Sequence, residues 1–158
     1  MRPETPFQAI VRMPVMHVGV RTEAGRIAEI RYLETTVPEA SPGNALAERA
    51  ARQLERYAAD PDFEFDLPLA AAGSAFQRRV WQAMCRIPRG RTRTYGELAR
   101  ALDSAPRAVG QACGANPFPL VIPCHRVVAA SGIGGFAHHA GGFHVDIKRW
   151  LLRHEKAI

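Results

Sequence analysis

At 158 residues, 47% of them hydrophobic, the chain is one domain or two small lobes that can bury a core and fold unaided. No run approaches the length needed to span a bilayer, and no basic start leads into an apolar signal region; with three cysteines, an odd and sparse count, this favours a reducing cytoplasm over an export route. The net charge of +6 is concentrated: residues 76–107 hold eight arginines (78, 79, 86, 89, 91, 93, 100 and 107) against Glu97 and Asp103, and the rest of the chain is balanced. One Arg-rich surface suited to phosphates is expected, rather than a merely solvated face.

Residues 1–72 read as a modest α/β lobe. Phe7–Val11, Met16–Val20 and Arg26–Leu33 have the composition of strands, and Glu23-Ala24-Gly25 is the turn of a hairpin between the last two. From Asn44 to Ala59 the apolar positions Leu46, Ala50, Leu54 and Tyr57-Ala58 recur at helical spacing, with Asp60-Pro61 as the stop. This half carries no recognisable chemistry, and the lone His17 in a strand reads as a core or surface residue rather than a ligand.

Residues 73–158 have another character. Ser74 is placed to cap a helix carrying Phe76, Val80-Trp81 and Met84 on one face, stopped by Pro88. Thr94-Tyr95-Gly96-Glu97 has the spacing of a capping box for a short helix to Leu102. After a turn at Asp103-Ser104, Pro106 suits the first turn of a second helix to about Gly114, and the pair forms a helix-turn-helix candidate. This second helix is built of small residues, with Arg107 its only long charged side chain. Such a helix either packs tightly in the core or approaches an external surface closely, and a lone cation near its start is suited to enter a groove or fill a gap in a base stack.

Asn116-Pro117 ends that helix and begins a strand-like approach, Pro119-Leu120-Val121-Ile122, to Pro123-Cys124-His125-Arg126-Val127-Val128. Here a thiol stands beside an imidazole and a guanidinium, the groups that raise a thiolate fraction. In an extended run neighbouring side chains diverge, so an indirect proton path from Cys124 to His125, through a bend or a water, is expected. A buried structural cysteine is the competing explanation. No metal is expected, because Cys85, Cys113 and Cys124 show no Cys-x-x-Cys or His-x-x-x-His spacing and the neighbours His138-His139 lack a third ligand. Residues 131–142 form a Gly-rich loop around Phe136-Ala137, and a last helix, about residues 145–156, is amphipathic through Ile147, Trp150, Leu151 and His154 and brings Glu155 within reach of the motif.

Taken together, Pro123–Val128, Asn116-Pro117, Arg107-Ala108-Val109-Gly110, Thr94–Ala99 and Trp150–Glu155 resemble the O6-alkylguanine-DNA alkyltransferases, over roughly residues 74–155 and in family order. The resemblance implies a ribonuclease H-like α/β lobe over 1–72, with a small antiparallel sheet plus helix, and a mostly helical, winged helix-like DNA-binding domain over 73–158. It implies that Cys124 accepts the alkyl group, His125 is the base through a water, and Glu155 orients the ring. Asn116 would tie the recognition helix to the motif, Arg107 would replace the flipped guanine, and Tyr95 would rotate the nucleotide and line the pocket. Val127, Phe136 and Ala137 would line the pocket too, and Arg93, Ala108 and Gly110 would meet DNA. The implied partner is double-stranded DNA containing O6-alkylguanine, met by a monomer without cofactor or membrane. Where many members carry a Tyr-Ser pair this chain has Phe136-Ala137. A non-catalytic lesion binder, a helix-turn-helix regulator and a Cys-His hydrolase are the rivals. The first is disfavoured by Cys124 itself, the second by the scarcity of base-reading side chains, and the third by the Arg-rich segment.

Overall fold

The computed structural model describes residues 6–134 and 142–158, and the chain divides into two compact units, Met1–Ala71 and Ala72–Ile158. In the first unit β1 (Ala9–Arg12), β2 (His17–Glu23) and β3 (Arg26–Leu33) form one antiparallel sheet in the order β1-β2-β3. The β2–β3 register closes with Glu23 opposite Arg26, so the loop has two residues, and both Ala24 (φ 51°) and Gly25 (φ 76°) take the positive φ of the turn that matches strand twist. The first strand begins two residues later than its composition predicts. The Phe7 ring lies over Gly19, where a Cβ would come within 2.8 Å of it, so Phe7 serves as a lid on the sheet instead of extending the ladder.

Helix α1 (Ala45–Ala59) starts where Asn44 accepts a hydrogen bond from the Ala47 amide at 2.8 Å, and it packs on β1 and β2 through Ala47, Ala50, Ala51, Leu54 and Tyr57. Val18, Val20 and Ile27 complete a core with no measurable exposure. The chain returns along β3, with the Ile27 amide donating to Pro68 O (2.7 Å) and the Ala70 amide to Ile27 O (2.8 Å).

The second unit is mostly helical: α2 (Ala75–Cys85), β4 (Arg93–Thr94), α3 (Tyr95–Ala101), α4 (Pro106–Gly114), β5 (Val127–Val128) and α5 (Phe143–His154). Both α2 and α3 open on capping boxes, Ser74 with Gln77 and Thr94 with Glu97. Helix α2 ends at Cys85, three residues before Pro88, in a tightened last turn where the Arg86 and Ile87 amides donate to Ala83 O and Met84 O. The α3–α4 turn is a Schellman ending: Asp103 takes φ 53°, and the Ser104 amide reaches back to Ala99 O at 2.8 Å. Among the described residues no helix is long and apolar enough to cross a membrane.

Two expectations fail. The approach to the motif is a turn, not a strand: Leu120 has φ 75°, and the Ile122 amide closes back on Phe118 O at 2.9 Å. Pro117, Pro119 and Pro123 have no amide hydrogen to give a ladder, so the apolar run is buried as a compact turn. The inward face of α5 is also rotated from its predicted position. Val145, Ile147, Lys148, Leu151 and Leu152 are buried, while Trp150 is half-buried and stacks on His154 with centroids 4.7 Å apart. The charge at 148 hides that face from a hydrophobic pattern.

Candidate active site

The motif is shaped by Pro123. Its φ of −80° and ψ of 68°, with the Cys124 amide donating to Ile122 O at 2.8 Å, make an inverse γ-turn that reverses the chain just before the thiol. A single 3-10 turn, Cys124–Arg126, follows, and all three of its side chains are buried. The tight turn sends Cys124, His125 and Arg126 in different directions from one short stretch. Next, β5 pairs in parallel with β4, Arg93 opposite Val127 and Thr94 opposite Val128, which brings Tyr95, the first residue of α3, to the motif.

Cys124 is 6% exposed. Burial pushes its pKa up to about 11, against hydrogen bonds from Asn116 and the backbone amides of Cys124 and His125 and the charge of Lys148. Asn116, just beyond α4, also donates from Nδ2 to Ile122 O (2.9 Å) and accepts from the Phe118 amide (2.9 Å), so one amide side chain clamps the turn and touches the sulfur.

No hydrogen bond joins the His125 ring to the Cys124 sulfur among the described residues. The His125 ring, 1% exposed, places Nε2 2.9 Å from Glu155 Oε2, and its Nδ1 is buried without a protein partner among the described residues. An ionised carboxylate only accepts, so Nε2 carries the hydrogen and Nδ1 the lone pair. Glu155, at the C-terminal cap of α5, is buried as well, and Arg126 grips it with Nε to Oε1 at 2.9 Å and Nη2 to Oε2 at 3.1 Å, while Nη1 donates to Ile87 O at 2.8 Å. Burial pushes the His125 pKa down, opposed by Glu155 and aided by the charges of Arg126 and Lys148.

Lys148 went unnoticed in the sequence. It is fully buried, donates from Nζ to Val127 O at 2.7 Å and lies 5.7 Å from the centre of the Tyr95 ring. Burial pushes its pKa down to about 8, against the attraction of Cys124 and Cys113. The only hint in the sequence is its place between Ile147 and Leu151 on the buried side of an amphipathic helix. The pKa of Tyr95 is pushed well up by burial and by repulsion from Cys113 and Cys124, so its hydroxyl keeps its proton. Cys113, on α4, rises to about 12 by burial, and its sulfur sits 3.4 Å from that of Met84.

Helix α4 turns Val109, Ala112 and Cys113 inward, and the Trp81 indole donates to Ala112 O at 2.8 Å. Its other side is open. Arg107 is exposed and makes no hydrogen bond or ion pair among the described residues, Ala108 is half-buried, and a Cβ at Gly110 would meet nothing within 4 Å. At Gly110 smallness therefore does not serve core packing. Arg93 is exposed and lies 3.5 Å from Glu97. Cys124, His125, Asn116, Tyr95, Val127 and Glu155 are thus gathered at one place, with Arg93, Arg107, Ala108 and Gly110 outside it. Phe136 and Ala137 lie outside the described residues. Among the described residues no group of three or more His, Cys, Asp or Glu could hold a metal ion.

The family model described as 6-O-methylguanine DNA methyltransferase, DNA binding domain, matches residues 75–157. The chain is 38% identical over 146 residues to the methylated-DNA–protein-cysteine methyltransferase of Archaeoglobus fulgidus, covering 92% of this chain and 96% of that one. It is 40% identical over 149 residues to the protein of the same name from Mycobacterium tuberculosis, covering 89% and 88%. The crystal structure of the M. tuberculosis O6-methylguanine methyltransferase superposes with a TM-score of 0.78 at 36% identity over 94% of this chain and 91% of that one, and that protein has also been solved in complex with DNA. Matched over most of its length by such relatives, the chain belongs to the methylated-DNA–protein-cysteine methyltransferase family.

Proposed function

We propose that the chain repairs O6-alkylguanine in double-stranded DNA by taking the alkyl group onto Cys124, acting as a monomer in the cytoplasm, where three unpaired cysteines suit a reducing compartment. The first unit is then the ribonuclease H-like lobe (1–72) and the second the winged helix-like, DNA-binding domain (73–158). One observation carries the reading: a buried thiol, neutral at rest, beside an imidazole whose lone-pair nitrogen has no protein partner among the described residues and whose other nitrogen is anchored on a buried carboxylate.

The sulfur attacks the alkyl carbon in line as the bond from that carbon to guanine O6 breaks. The thiol proton leaves through a water toward His125 Nδ1, and the electron pair released on the purine takes up a proton from solvent, so guanine and a thioether are the products. Glu155 stabilises the imidazolium that forms. Tyr95, with its firmly held proton, donates a hydrogen bond to the purine, and Val127 lines the pocket. A thioether has no carbonyl for water to attack, so each molecule reacts once. The base must leave the stack at a cost of a few kcal/mol, offset by phosphate contacts from residues such as Arg93, by close approach of α4 at Ala108 and Gly110, and by Arg107 in the vacated space.

A mass spectrum after incubation with a duplex containing O6-methylguanine tests this. One methyl group on Cys124 per molecule is expected, and none on Cys124→Ser, whose DNA binding should persist because the hydroxyl is nearly isosteric. Stoichiometric methylation of that variant on Cys85 or Cys113 would overturn the assignment.

A further inference from the structure

The Glu155 carboxylate is shared unequally. His125 makes one bond to it, at Oε2, whereas Arg126 makes two, one to each oxygen. All three side chains are buried, so their net charge matters more than any single contact: in a weakly polarisable interior an uncompensated charge is expensive and a balanced set is tolerated. With a guanidinium and a carboxylate present, balance is reached with the ring neutral. Without the guanidinium, balance is reached by a second proton on the ring, at Nδ1.

Resting on the reading above, we propose that Arg126 is a positioning residue that commits the Glu155 charge to itself and so keeps His125 neutral and able to take the Cys124 proton. A pair of Glu155 and His125 alone would rest as carboxylate and imidazolium, and an imidazolium has no lone pair for the thiol proton. Arg126 therefore acts through Glu155 on the ring, from the residue next to it in sequence. Among the described residues the other groups facing this set are Lys148 from α5, the Cys124 thiol, and Cys85 at the end of α2, which feels the Arg126 charge. Lys148 also disfavours a protonated ring, and with its pKa pushed down to about 8 it keeps most of its charge below about pH 7, where the Arg126 contribution is read against a nearly constant background.

The test uses two substitutions that each keep a donor for Glu155 but differ in charge, Arg126→Gln and Arg126→Lys. Protonation of the His125 ring is followed by nitrogen NMR of the free protein between pH 5 and 7.5, beside the pH dependence of methyl transfer from O6-methylguanine duplex. In the Gln variant the ring should take its second proton about 1–3 pH units higher than in the wild type, the range for one charge at this separation, and the acid limb of the rate profile should move up with it. In the Lys variant both should stay within about half a unit, since the charge is kept. A Gln variant whose ring titrates as in the wild type, or Gln and Lys variants that shift alike, would overturn the proposal. So would a wild-type ring already doubly protonated at pH 7, a measurement that needs no variant to fold. Because ring protonation is read without substrate, a wild-type chain that fails to methylate Cys124 would remove the repair reading and not this result.

Discussion

The two units use arginine differently, although the second also has surface pairs in Arg93 with Glu97 and Arg149 with Asp146. In the first, arginines are laid against acids on the surface: Arg21 with Glu23 and Glu29, Arg31 with Glu29, Arg49 with Asp66, Arg52 with Glu48. In the second, Arg86, Arg91, Arg100 and Arg107 are exposed and have no ion pair among the described residues, while Arg126 is buried and fully engaged. The difference teaches that charge count says little without pairing. Paired surface arginines are electrostatically spent, unpaired ones remain open to a polyanion, and a buried one organises a site.

The largest effect that would break this comparison is at Arg107. On the proposed role, in which Arg107 fills the vacated stack and is needed only when a base is flipped, Arg107→Ala should slow transfer from duplex O6-methylguanine by about ten- to a thousandfold, a loss of roughly 1.4 to 4 kcal/mol. Transfer from the free modified base should be nearly unchanged. Equal slowing on both substrates, measured as second-order rates, would place Arg107 in the support of the fold instead.

Next in size is the salt response. Binding to undamaged duplex should weaken steeply with salt, and replacing Arg86, Arg91 and Arg100 together by Ala should flatten the log–log slope by between about 1 and 3. The same treatment of Arg21, Arg31 and Arg52 should leave the slope alone. A flat response in the unaltered protein would remove the DNA partner altogether.

Acid should act on the second unit through His125. The folded state holds the ring neutral while the unfolded chain takes a proton near its ordinary value, so below about pH 6.5 the unfolded state binds more protons and stability falls. The urea midpoint should therefore drop between pH 7.5 and 5.5, and less so in His125→Gln. The smallest effect belongs to the paired surface of the first unit: Arg52→Ala, which loses only an exposed partner in Glu48, should change stability by about 0.5 kcal/mol or less in the same titration.

What could be read from the sequence was mostly local. Strand composition, the turn at Glu23-Ala24-Gly25, the Ser74 cap and the Thr94–Glu97 box depend on neighbours a few residues apart, and those elements stand within three residues of their predicted bounds. The motif itself drew attention because a thiol, an imidazole and a guanidinium are adjacent. What escaped depends on distant partners. Nothing near Lys148 announces that its ammonium is buried on a carbonyl 21 residues away, and Arg126 meets Glu155 across 29 residues. The run at 119–122 misled because hydrophobicity reports burial and not whether amides are available for a ladder; three prolines decided that.

The burial of Cys124 has one more consequence, which concerns time rather than mechanism. With its pKa pushed up to about 11 by burial the thiol is almost wholly protonated at pH 7, and the sulfur is almost closed off from solvent. Stray electrophiles and oxidants, which react with exposed thiolates, find little to attack. With Cys124 as the proposed single-use acceptor, that quiescence is shelf life: the thiol should outlast Cys85 on the surface and be intact when a lesion finally arrives.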